Sequence, residues 1–151
     1  MPLRRQPPPA ALLTSPEDTE AQFYEALQSG DIERLMSVWG DDEEIACVHP
    51  GGPRLVGAAA IRSSFEKIFA TGGVPVTPEQ VHRLHTMTTA VHHLAERITI
   101  HTAEGTQTAW VLATNVFIKT EQGWRLVVHH ASPGTMGEQP PAPGEPPSLL
   151  H

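Results

Sequence analysis

The stretch Gly30–Gly52, GDIERLMSVWGDDEEIACVHPGG, passes from a helical period into an acidic turn and then into a strand period. Ile32, Leu35, Val38 and Trp39 recur at the spacing of one helical face, and Asp31 stands where an N-cap belongs. After Asp41 and Asp42 the period becomes two. Ile45, Cys47 and His49 then share one face, Ala46 and Val48 the other. A titratable imidazole therefore closes an apolar row just before Pro50, which is how a pocket wall with one polar group is written in sequence.

Upstream of this stretch, Ser15-Pro16 with Asp18 three residues after the cap predicts a first helix that ends at Gly30 and presents Phe23, Ala26 and Leu27. Downstream, Gly51-Gly52 turns the chain into a brief strand, Arg54 to Val56. A third helix then carries Ile61, Phe65, Ile68 and Phe69 on one side and stops at Gly72-Gly73. From Val81 to Ala131 the pattern is β, with four long segments separated by turns at Thr88-Thr89, Glu104-Gly105 and Gln122-Gly123. Helices first and a β meander last predict an α+β domain with a curved, mostly antiparallel sheet around three helices. Residues 1–14 and 134–151 are rich in proline and poor in large apolar side chains, and read as disordered tails around one domain over residues 15–133.

With 151 residues and 39% hydrophobic content the chain can bury one core. A net charge of -7, with ten scattered Lys and Arg, argues against nucleic acid as a partner. No run is long and apolar enough for a membrane span, and the N-terminus has no signal-peptide core. The single Cys47 excludes an internal disulfide and fits a cytoplasmic protein.

GDIERLMSVWGDDEEIACVHPGGPRLVGAAAIRSSF and TNVFIKTEQGWRLVVHHASP resemble the NTF2-like superfamily, which includes ketosteroid isomerases, SnoaL-type cyclases and the calcium/calmodulin-dependent kinase II association domain. The likeness spans about Ser15 to Pro133. It implies an NTF2-like cone with a conical pocket for a small apolar or carbonyl-containing molecule. It also implies either isomerase, cyclase or dehydratase chemistry or a non-catalytic assembly role. By position, His49 replaces the isomerase general-base aspartate as a proton shuttle, and Asn115 replaces an oxyanion-hole acid. The isomerase tyrosine falls on Phe23, with Tyr24 one position, or about 100°, further round the helix. Trp39 matches a pocket aromatic. HHASP resembles the last strand of the kinase domain, whose pocket arginines are replaced here by Asn115 and Ala131.

Among the candidates, His49 either faces the pocket or caps a neighbouring backbone group. Asn115, on the Val111, Ala113, Phe117 face, either meets a ligand or pairs across strands. Of the adjacent His129 and His130 only one can turn inward, and the expectation is His129, grouped with Arg125, Val127 and Ala131, leaving His130 with Trp124, Leu126 and Val128. Phe23, Tyr24, Trp39, Phe65, Phe117 and His129 complete the expected ligand-binding set. The close histidine pairs His82/His85, His92/His93 and His129/His130 diverge on strands, so neither a metal nor another cofactor is expected. Trp110, Leu112, Val116 and Ile118 would leave an apolar outer sheet face, which predicts a homodimer.

Overall fold

Local capping sets the first two helices of the computed structural model, which describes residues 13–134. Helix α1 (Pro16–Ser29) starts where the Ser15 hydroxyl accepts from the Asp18 amide at 3.1 Å, and ends at Gly30, whose φ of 68° is the left-handed conformation that glycine adopts without strain. The Asp31 carboxylate then accepts from the Arg34 amide and starts α2 (Ile32–Ser37). Strands β1 (Ala46–Val48) and β2 (Arg54–Val56) precede α3 (Ala58–Ile68) and a single 3₁₀ turn, Phe69–Thr71. Four long strands follow: β3 (Val76–His85), β4 (Thr89–Thr102), β5 (Gly105–Thr120) and β6 (Gly123–Pro133).

The six strands form one curved, unclosed sheet in the order β2-β1-β6-β5-β4-β3. Only β1 and β6 pair in parallel. Helix α1 lies against the concave face, where Phe23, Tyr24 and Leu27 meet Leu94, Phe117 and Leu126 in the core. Burying one such large side chain contributes about 1.5–3 kcal/mol. Thr19 ties the helix to the sheet by donating to the Trp124 carbonyl at 2.9 Å. Gly73 brings the chain back past the end of α1 so closely that a Cβ there would fall 2.0 Å from the Gln28 carbonyl oxygen.

Two sequence expectations change. Strand β3 begins at Val76, five positions before the predicted Val81, and carries Pro78. Proline is tolerated because β3 is an edge strand and its missing donor faces no neighbour. In β6 the register slips at Val127, which has no partner: Val116 pairs with Val128 but Phe117 with Leu126. This bulge reverses the parity of the strand. Trp124 and Leu126 consequently share the inner face with His129 and Ala131, and the grouping by simple alternation fails. The tails expected over 1–14 and 134–151 lie outside the described residues except for Leu13, Thr14 and Gly134. Leu13 is buried, and its carbonyl accepts from the Trp124 amide at 2.8 Å.

Candidate functional site

A cavity of about 170 Å³ opens between the end of α1, α3 and the inner faces of β3 to β6. Its walls are apolar, formed by Leu27, Phe65, Ile68, Val74, Val76, Ile98, Val111 and Ala131, and three polar side chains reach it: His49, Glu96 and His129. Alternation along β4 sends Ala90, His92, Leu94 and Glu96 inward, so a carboxyl group stands in an apolar wall. Burial pushes Glu96 up to about 7, against the hydrogen bond from Tyr24, which favours the carboxylate, and with help from nearby Glu20.

Behind the cavity the polar groups form a continuous set. The Tyr24 hydroxyl donates to Glu96 Oε2 at 2.7 Å. Asn115 Nδ2 donates to the Tyr24 hydroxyl at 3.2 Å and to Glu20 Oε2 at 3.1 Å, so both amide hydrogens are used. Asn115 Oδ1 can only accept, and His129 Nδ1, 2.6 Å away, must therefore carry the ring proton. Burial, with smaller contributions from His49 and His130, lowers His129 to about 3. The ring is thus neutral, with a bare Nε2 lying 3.9 Å from Glu96 Oε2. Phe23 packs on this ring at a centroid distance of 5.0 Å.

His49 follows β1 and lies edge-on to Phe65, with ring centroids 4.9 Å apart. The Ser64 hydroxyl donates its only hydrogen to the Ile61 carbonyl at 2.7 Å, so at 2.9 Å it accepts from His49 Nε2. This assigns the His49 proton to Nε2 and leaves Nδ1 basic. Burial lowers the pKa of His49 below its ordinary value.

Of the residues expected from sequence, His49, Phe65 and His129 line the cavity. Asn115, Phe23, Tyr24 and Phe117 lie behind it in the core, and His130 is exposed on the opposite side of β6. Trp39 lines a separate depression with Met36, Gly40 and Arg62. The adjacent Phe23 and Tyr24 are both buried, because α1 lies in the trough of the sheet and is enclosed over more than one stripe. Glu96 was missed, although a lone glutamate at an inward position of AVHHLAERITI was a readable signal. Also missed was the approach of Glu17 to His85 and His92, which depends on α1 crossing the end of the β3–β4 hairpin.

The sequence profile of the SnoaL-like domain matches residues 17–136, nearly all of this architecture. The chain belongs to the SnoaL-like family, within the NTF2-like superfamily. Solved NTF2-like structures agree. A provisionally assigned calcium/calmodulin-dependent protein kinase type II association domain from Thiobacillus denitrificans is 32% identical, with a TM-score of 0.75 over 82% of this chain and 98% of that one. A provisionally assigned NTF2-like dehydratase from Streptomyces avermitilis is also 32% identical, with a TM-score of 0.68 over 77% of this chain and 91% of that one. The kinase hub of S. rosetta shares the fold at 21% identity, with a TM-score of 0.62 over 87% of this chain and 100% of that one. No curated protein matches the chain by sequence. Among the described residues no helix is long and apolar enough to cross a membrane.

Proposed function

We propose that this SnoaL-like domain binds a small apolar molecule carrying a carbonyl group and moves a proton on it, as an isomerase, cyclase or dehydratase does. The observation that carries this reading is Glu96, a carboxyl group poised near neutrality in an apolar cavity. In its acid form Glu96 donates to the carbonyl oxygen, and His49 Nδ1 takes the proton from the adjacent carbon. When His49 returns that proton to another carbon of the enol, and the enol hydroxyl gives its proton back to Glu96, the substrate is isomerised. When His49 gives it to a hydroxyl on the β-carbon, which leaves as water while Glu96 recovers its proton, the substrate is dehydrated. Asn115 has no hydrogen left for a ligand and acts through His129 as a positioning residue. The 32% identical dehydratase relative supports the reaction class, and the single buried Cys47 supports a cytoplasmic location.

The test is a thermal-shift screen against small hydrophobic ketones and enoyl compounds, followed by NMR of each hit in D₂O with enzyme. Deuterium entering the carbon next to the carbonyl, and lost in Glu96→Gln and His49→Ala, is the expected result. A hit that binds but gains no deuterium removes the catalytic half of the proposal.

A second reading, a dimeric assembly module, draws on the association-domain relatives and on the outer face of β5, where Ile118 is 40% exposed beside half-buried Trp110, Leu112 and Val116. Light scattering at about twice 16.4 kDa is expected, and the monomer mass would refute the dimer.

A further inference from the structure

At the opposite end of the buried polar set from the cavity, three ligand atoms converge. Glu17 is in the first turn of α1, His85 ends β3 and His92 lies early in β4. The two imidazole rings are near coplanar, 17° from parallel, and meet head to head, their Nε2 atoms 2.9 Å apart at hydrogen-bond distance. Glu17 Oε2 lies 3.2 Å from His85 Nε2 and 3.3 Å from His92 Nε2. A tetrahedral ion with bonds of about 2.0–2.1 Å holds its ligand atoms about 3.3–3.4 Å apart. The triangle is therefore of first-coordination-shell size.

A proton shared between the two Nε2 atoms satisfies both rings on that side, and leaves Glu17 and the far side of His92 to be accounted for. His92 is fully buried, and the nearest acceptor to its Nδ1 is Glu20 Oε2 at 3.0 Å, set off the line a hydrogen bond requires. With the ring proton on Nδ1, beside that carboxylate, the Nε2 lone pair faces Glu17 and His85. Moving the proton to Nε2 would instead turn a lone pair toward Glu20. With the partly exposed His85 ring turned so that its Nε2 no longer points straight at that of His92, one cation accepts the lone pairs of all three ligand atoms at once. Glu20 then stands as the outer carboxylate behind a ligating histidine, a common support of such sites. Side-chain exposures of 37% at His85 and 44% at Glu17 leave the triangle open to solvent. Arg83 is the opposing feature: its Nε lies 3.7 Å from Glu17 Oε2, but the side chain is 47% exposed and free to turn away.

We propose that Glu17, His85 and His92 form a binding site for a divalent transition-metal ion of the zinc type, with a fourth position open to water. Two imidazoles and one carboxylate suit such an ion better than calcium or magnesium. The ion would fasten the β3–β4 hairpin to the start of α1. This inference is independent of the chemistry assigned to the cavity.

The full chain, stripped with chelator, is titrated with Zn²⁺ against a chromogenic competitor and separately with Co²⁺. One ion per chain is expected, with the intense visible absorption of four-coordinate cobalt and a raised melting temperature. His85→Ala and Glu17→Gln, at partly exposed positions, should each weaken Zn²⁺ at least tenfold, and His82→Ala, exposed on the same strand, should not. Circular dichroism of each apo variant checks that it is folded, and His92→Ala is not needed. Lack of one-to-one binding, or equal affinity in His85→Ala and wild type, would overturn the site.

Discussion

The hydroxyl of Tyr24 on α1 donates to the carboxylate of Glu96 on β4 at 2.7 Å, both groups being buried. This contact is the counterweight to the burial that raises Glu96, and burial with the Glu96 charge in turn drives Tyr24 well above its ordinary value. Tyr24→Phe removes the donor without adding charge. The Glu96 midpoint is expected to rise above about 7, read from the carboxyl carbon shift of labelled glutamate across a pH series. A midpoint that stays in place would mean that the hydroxyl does not govern Glu96.

Stability should carry the same signature. The folded-state pKa of Glu96 lies above its ordinary 4.5, so its favourable protonated state is fully available below that value and is lost as pH rises through about 7. His129 works in the other direction, because a value lowered to about 3 costs stability as pH falls below 6.5. Comparing wild type with Glu96→Gln cancels the histidine. From pH 5 to pH 8 the variant should gain on the wild type by on the order of 1–3 kcal/mol in urea unfolding. Parallel pH profiles would refute the assignment.

Cys47 offers a check on the seal of the core. Its thiol is fully buried and, through burial and the nearby Glu96, is pushed up to about 12. The thiolate that reacts with iodoacetamide or aromatic disulfides is then scarce at pH 8. Labelling of the native protein is expected to be at least a hundredfold slower than in urea, by mass spectrometry. Comparable rates would mean that β1 opens readily or that Cys47 is not enclosed.

The contrast between fold and site legibility has a physical basis. Caps and periods are local, so Ser15, Gly30, Asp31 and the alternation through Ile45 and Cys47 could be read directly. Strand parity is also local until a bulge intervenes, and nothing in GWRLVVHHASP marks Val127 as the residue without a partner. The polar set is different in kind. It joins Glu20 and Tyr24 to Glu96, Asn115 and His129, contacts set by how deeply α1 lies in the sheet. The one-residue offset of Tyr24 from the isomerase position suggested a side chain pointing elsewhere. Enclosure on several sides brings it into the core anyway.

Asn115 is the junction of that set, and its replacement separates the two roles an amide can have here. If it met the ligand directly, Asn115→Ala would weaken binding and leave the fold largely intact. The bonds observed argue otherwise: Nδ2 is shared between Glu20 and Tyr24, and Oδ1 holds the His129 proton. Alanine would leave a buried carboxylate, a hydroxyl and a ring N–H each short of a partner, at about 1–3 kcal/mol for each group that finds no water. Asn115→Ala is expected to cost about 2–4 kcal/mol in urea unfolding. Asn115→Asp should also destabilise at neutral pH, because it sets a second carboxylate 3.1 Å from Glu20 Oε2 in place of a donor, and should recover in part as the pH is lowered. A loss below about 1 kcal/mol for alanine, with normal folding, would return Asn115 to the cavity as a ligand-facing group.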